Sequence, residues 1–141
     1  MTILDTNVIS ELMKAVPSPA VLAWTGTCAP EDLFISTISM AEILFGIELL
    51  PKSKRRDSLL QEAEATFTKD FADRILSFDE KAARAFGPLF AARRRQGRSM
   101  GLADAQIASI AMARGAILTT RNTGDFEDCG LNLVNPWQSK P

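Results

Sequence analysis

Met1-Thr2-Ile3-Leu4-Asp5-Thr6-Asn7-Val8-Ile9-Ser10 opens the chain, and its reading decides the fold. Ile3 and Leu4 begin a short apolar run. Asp5, Thr6 and Asn7 stop it, and Val8 to Met13 reads as helical. The stretch is a buried strand feeding a helix, with a carboxylate at the joint. In an open parallel sheet the ligand crevice lies beyond the carboxyl ends of the strands. Asp5 therefore stands where chemistry is expected.

The same alternation continues outward from this unit. Pro17-Ser18-Pro19 breaks the first helix, and Ser18 is placed to cap a second over Ala20 to Thr25 with Pro19 at its first position. Leu33 to Ser36 reads as a strand, with Ser36 or Ser39 capping the apolar helix Met40 to Leu50. Lys54 to Phe71 is amphipathic, its Leu59, Leu60, Ala63, Phe67 and Phe71 recurring near helical period. Arg74 to Phe78 is a third strand, after which Asp79 caps a helix running to about Arg95. Leu102 to Arg114 is an alanine-rich helix stopped by Gly115. Ala116 to Thr120 and Leu131 to Val134 are the last two strands, with a loop at Arg121 to Cys129 between them and Asn135-Pro136-Trp137 after them. Strands alternating with helices predict a three-layer α/β/α sandwich around a central, mostly parallel, about five-stranded sheet. Residues 1–137 form a single domain in this reading, and Gln138 to Pro141 a C-terminal tail.

Composition narrows the chemistry. The 141 residues suit one domain that buries roughly 70% of its extended surface. A hydrophobic fraction of 46%, a charged fraction of 23% and a net charge of −1 are those of an ordinary globular chain. No apolar run reaches the roughly 20 residues of a membrane span. No basic region precedes an apolar stretch at the N-terminus, which predicts a cytoplasmic location. Cys28 and Cys129 have no metal-ligand spacing and read as reduced thiols. Histidine is absent, which removes imidazole acid–base catalysis and most zinc sites. Neither common glycine-rich phosphate loop is present. An enzyme built from this chain has carboxylates to work with.

Four acids stand out. Asp5 follows the first strand, and Glu42 interrupts the most apolar helix. Asp104 sits near the start of the alanine-rich helix, in Gly101-Leu102-Ala103-Asp104-Ala105. Asp125 follows the fourth strand, in Thr120-Arg121-Asn122-Thr123-Gly124-Asp125-Phe126. Each has a plain structural alternative. Asp5 caps a helix unless Asn7 does. Glu42 is functional if drawn into a site and unremarkable on a helix rim. Asp104 is a first-turn acid favoured by the helix dipole. Asp125 is a turn residue. In a parallel sheet, however, the ends of strands one and four share an edge, and helices also start there, so the set can converge. Converged carboxylates repel and raise one another's pKa, and a divalent cation removes that penalty. Oxygen donors alone suit Mg²⁺ or Mn²⁺. The chemistry implied is phosphodiester hydrolysis by a metal-activated water.

Asp5-Thr6-Asn7-Val8, Ser39-Met40-Ala41-Glu42-Ile43, Gly101-Leu102-Ala103-Asp104-Ala105 and the Thr120 to Phe126 segment together resemble the motifs of PIN-domain nucleases, of the VapC/FitB toxin type. The resemblance spans the chain with its motifs in order. It implies a Mg²⁺- or Mn²⁺-dependent endoribonuclease, the toxin of a bacterial toxin–antitoxin pair. Asp5 and Asp104 would be the principal metal ligands, with Glu42 direct or through water and Asp125 a fourth acid. Asn7 would support Asp5, and Thr120 and Asn122 would order the loop bearing Asp125. Family members are usually homodimers silenced by a DNA-binding antitoxin whose C-terminal segment enters the active-site groove.

Substrate RNA has to approach an acidic site, and two basic clusters bear on this. Lys52 to Arg56 reads as a solvated helix start. Arg93, Arg94, Arg95 and Arg98 exceed what a helix end needs and are expected to guide RNA. The reading from a different class is a non-cleaving dimeric partner that helps an antitoxin hold DNA. The complete acid set argues against it.

Overall fold

The computed structural model describes residues 1–138. Of the expected tail, residues 139–141 lie outside the described residues. The amide of Gln138 closes a turn onto the Asn135 carbonyl at 3.1 Å. Five strands form one sheet in the order β3-β2-β1-β4-β5, with every neighbouring pair parallel. They are β1 (Thr2–Leu4), β2 (Leu33–Ser36), β3 (Ile75–Leu76), β4 (Ile117–Thr119) and β5 (Asn132–Val134). The helices are α1 (Thr6–Leu12), α2 (Pro19–Gly26), α3 (Thr37–Glu48), α4 (Lys54–Ala65), α5 (Glu80–Arg95) and α6 (Leu102–Arg114).

Strand β1 lies at the centre because both its faces and both its edges are covered. Ile3 and Leu4 point to opposite sides, as adjacent strand residues must. Ile3 joins Leu118, Phe126, Leu89 and the alanines of α6 in one core. Leu4 joins Val8, Ile35, Ile43 and Phe67 in the other. The two packed layers of the sandwich are thus set by neighbouring residues. Cys28 packs on the second core and Cys129 sits in the first, both as free thiols.

Local signals place most boundaries. Ser36 caps α3, its hydroxyl accepting from the Ser39 amide at 3.1 Å. Helix α3 therefore starts at Thr37, ahead of the expected Met40. Asp79 caps α5 through the Ala82 amide. Gly115 ends α6 at φ 60°, in the left-handed region that glycine enters without penalty. Two expectations are corrected. Ser18 makes no side-chain cap; its own amide is taken by the Glu11 carboxylate at 3.3 Å. The long stretch Lys54 to Phe71 is α-helical only to Ala65, and Thr66–Asp70 is a π-helical turn that lodges Phe67 in the core.

The chain leaves β1 towards β2 and β3, then returns to place β4 on the other side. The switch point is the gap between the ends of β1 and β4, where an open α/β sheet makes its crevice.

Candidate active site at the β1–β4 switch point

The last ladder bond of the sheet fixes the first acid. The Asp5 amide donates to the Thr119 carbonyl at 2.9 Å, so its backbone continues the central pairing. Its side chain then does two things. Oδ1 accepts from the Thr6 amide at 2.8 Å and caps α1. Oδ2 accepts from the buried Thr120 hydroxyl at 2.8 Å, across from β4. Capping and site placement, separate alternatives in the sequence, are held by the same residue.

Asn7 and Thr120 complete a small net around it. Asn7 Nδ2 donates to Thr120 Oγ1 at 3.2 Å and lies 3.4 Å from Asp5 Oδ2. Asn7 Oδ1 accepts the Arg121 amide at 3.2 Å. Thr120 Oγ1 also accepts the Asn122 amide at 3.1 Å, which turns the chain after β4. Thr120 spends its one proton on the carboxylate and receives two others, so its hydrogen-bonding capacity is filled.

Glu42 lies on the exposed rim of α3, not in the core. The Thr6 hydroxyl lies 2.8 Å from both Glu42 Oε1 and Ser39 Oγ. A carboxylate only accepts, so the Thr6 proton goes to Glu42. Thr6 thereby links the acid of α3 to the start of α1. Sequence reading gives Thr6 no role, because nothing local marks a hydroxyl whose partners lie 33 and 36 residues away.

Asp5, Glu42 and Asp104 line one cavity of about 470 Å³. Asp125, on a 3₁₀ turn over Thr123–Phe126, is exposed beside it. Electrostatics tie the four together. Burial holds the Asp104 carboxyl up at about 6, and Asp5, Asp125 and Glu42 add repulsion. Burial also raises Asp5, against the lowering by its Thr120 and Thr6 hydrogen bonds, with further repulsion from Glu42 and Asp125. Among the described residues no three acidic side chains form a ready-made cation cage. The donor set is all oxygen, and its mutual repulsion is what a cation relieves. Such a set fits a hard ion that keeps several of its own waters rather than one enclosed by protein.

The structure corrects the arginine cluster at Arg93 and Arg98. Arg93 is buried and faces inward, not towards RNA. Its Nη2 donates to the Asp125 carbonyl at 2.9 Å and its Nη1 to the Glu127 carbonyl at 2.6 Å. Together with Phe126 in the core, it pins the turn that carries Asp125. Arg98 pairs with Asp128 at 2.7 Å and faces the same turn. Arg94 lies 5.7 Å from the Phe90 ring centroid, and Arg95 is exposed. Arg93 and Arg98 thus hold a loop, while Arg94 and Arg95 stay exposed at the end of α5. Arg93→Ala is expected to cost about 2 kcal/mol, since two carbonyls of the turn lose a charged donor and a buried side chain is removed. Urea unfolding checks the cost, and amide exchange at residues 125–128 locates it.

A PIN domain model matches residues 2–130. The chain is 46% identical over 139 residues to the plasmid stability protein StbB of Pseudomonas syringae pv. tomato, covering 99% of this chain and 100% of that one. It is 43% identical over 138 residues to the VapC ribonuclease Y4jK of Sinorhizobium fredii, covering 98% and 99%. It is 35% identical over 137 residues to the toxin FitB of Neisseria gonorrhoeae, covering 97% and 99%. The crystal structure of FitAcB from that bacterium superposes with a TM-score of 0.91 at 34% identity, covering 99% of this chain and 100% of that chain.

Proposed function

This chain belongs to the PIN-domain family, among nucleases of VapC and FitB type, and on that premise we propose that it is the endoribonuclease toxin of a toxin–antitoxin pair, working with Mg²⁺ or Mn²⁺. The observation that carries the reading is the convergence of Asp5, Glu42 and Asp104 on one cavity at the switch point.

In this reading Asp5 and Asp104, with Glu42, hold the ion. When bound, such an ion neutralises phosphate charge and makes water easier to deprotonate. The residues of the chain then divide the remaining work. Thr6 and Thr120 hold the carboxylates of Glu42 and Asp5 in fixed orientation. Asn7 ties the end of β1 to the end of β4, so the two halves of the crevice keep register. Arg93 grips the Asp125 backbone from behind. The Asp125 carboxylate, which makes no hydrogen bond among the described residues, is left to orient the attacking water. In-line attack of that water forms a new P–O bond as the P–O3′ bond breaks and the 3′ oxygen takes up a proton, which would leave a 5′-phosphate and a 3′-hydroxyl.

The partner follows from the same likeness. FitAcB and VapBC-type assemblies are among the solved neighbours of this fold. A DNA-binding antitoxin whose C-terminal segment enters the groove is therefore the proposed silencer, and a homodimer the proposed assembly. No helix among the described residues is long and apolar enough to cross a membrane.

The test is cleavage of RNA by the purified chain with and without Mg²⁺, followed by mapping of the ends. Cleavage that EDTA abolishes and MnCl₂ restores, with 5′-phosphate ends, is expected. Cleavage indifferent to EDTA, or 2′,3′-cyclic phosphate ends, overturns the mechanism. No cleavage at all, with intact antitoxin-dependent DNA binding, supports the non-cleaving partner instead.

A further inference from the structure

Resting on the reading of this site as RNA-cleaving, we propose that Arg121, stacked on Trp137, is a substrate-binding residue that holds a non-scissile phosphate of the RNA strand.

The argument begins with charge. The cavity bearing Asp5, Glu42 and Asp104 is also lined by two cations, Lys14 and Arg121. Lys14 is committed to Glu11, with Nζ 3.1 Å from Oε1. Arg121 is exposed and, among the described residues, makes no ion pair and no side-chain hydrogen bond. Its guanidinium sits 4.9 Å from the Trp137 ring centroid. A guanidinium over a ring keeps N–H groups along its edge for an acceptor, and no side-chain hydrogen bond among the described residues takes those of Arg121. That edge suits a phosphate, which takes two parallel N–H donors.

The pair is also built into place. Asn135 bridges its two backbones: Nδ2 donates to the Arg121 carbonyl at 3.2 Å, and Oδ1 accepts the Trp137 amide at 3.0 Å. On its other side, the Arg121 amide is held by Asn7, two residues beyond Asp5. The cation is therefore registered to the first acid through one side chain. Asn135-Pro136-Trp137, which sequence reading leaves as a strand end, becomes the splint for a binding residue.

The occupant follows from the surroundings. An acidic peptide gains one partner at Arg121 and meets the repulsion of the cavity acids. A ribose-phosphate strand with one phosphate at those acids and their ion presents its next phosphate to a cation nearby. Each phosphate so neutralised steepens the salt dependence of binding, by about 0.7 for a single strand.

The experiment measures steady-state cleavage of a single-stranded RNA by the full chain in Mg²⁺, across a series of KCl concentrations. Arg121→Ala is expected to raise KM roughly tenfold and to flatten the plot of log kcat/KM against log [KCl] by about 0.7. Its kcat should stay within about threefold, because no reacting atom loses a partner. Trp137→Leu keeps the charge without its platform, so KM rises while the salt slope holds. Trp137→Phe retains a ring and restores most of the KM. Should Trp137→Leu fail to fold, Arg121→Ala still decides, since its side chain is at the surface. A wild-type KM and salt slope in Arg121→Ala overturn the proposal, as does a loss confined to kcat. If the wild-type chain itself cuts no RNA in Mg²⁺, the nuclease reading fails separately. Filter binding of the same RNA then judges Arg121 by the same slope, and an unchanged slope overturns the phosphate site.

Discussion

Asp5→Asn should fold normally and cleave RNA at least about a thousandfold more slowly than the wild type. The substitution separates what Asp5 does for the fold from what it does for chemistry. The single amide oxygen can still accept from the Thr6 amide and keep the α1 cap, while the new Nδ2 faces the buried Thr120 hydroxyl, whose proton loses its acceptor. The charge is lost, and with it the central ligand of the proposed site. Because burial and the neighbouring acids already disfavour that charge, removing it costs the metal-free fold little. The melting temperature without metal should therefore stay close to that of the wild type, the relief of that charge being set against the unpaired Thr120 hydroxyl. Asp5→Ala is the poorer test, since losing the cap alone costs about 1 kcal/mol. Single-turnover cleavage and circular dichroism of the same sample make the comparison. Retention of a tenth or more of the activity by Asp5→Asn would remove Asp5 from the centre of the mechanism.

Asp104→Asn should abolish cleavage to a similar degree and, unlike most substitutions of a polar site residue, stabilise the metal-free protein at pH 7.5. The sign follows from proton linkage. Asp104 titrates at about 6 in the folded chain against an ordinary 3.8, so the folded state binds more protons between those values. Its contribution to stability is present below the lower value and is lost as pH rises through the upper one. Above that window the wild-type fold carries an ionised, repelled carboxylate. In full, the displacement is worth about 3 kcal/mol. Asp104 is only half-buried, and solvent screening brings the expected gain to about 1 kcal/mol. At pH 4 the gain should largely vanish. Mg²⁺ should stabilise the wild type at pH 7.5 and leave Asp104→Asn unmoved. Thermal melts at both pH values, with and without Mg²⁺, give the four numbers required. A variant less stable than the wild type at pH 7.5 would mean that Asp104 already has a compensating partner.

Much of this was legible in the chain because it is local. Ile3-Leu4 followed by Asp5-Thr6-Asn7 declares strand, joint and helix within a few residues, and the order of strands and helices follows from repeating that reading. Ser36, Asp79 and Gly115 mark helix ends by short-range bonding, which composition reveals. The four acids could be singled out because each breaks an apolar run or sits at an element's end. What stayed hidden depends on contacts between distant parts of the chain. Arg93 looks like surface charge in the run Arg93-Arg94-Arg95, and only the docking of the Thr123–Phe126 turn against α5 shows that it points inward. Thr6 and Asn135 are small polar residues with no local peculiarity, and each joins segments that meet only in three dimensions. The break at Ala65 escapes for another reason: the apolar period continues through the π turn, which changes the winding of the backbone rather than the spacing of its buried side chains.

The central position of β1 has a consequence for the cell that makes this protein. The middle strand of the sheet is the first to leave the ribosome, yet the neighbour that completes the crevice, β4 at Ile117–Thr119, is among the last. Until it arrives, Asp5 lacks both the Thr119 carbonyl and the Thr120 hydroxyl that hold it. A chain still in synthesis, or one truncated before that strand, carries three of the acids but has nowhere to assemble them. The acidic crevice thus closes only when synthesis of the chain is nearly over.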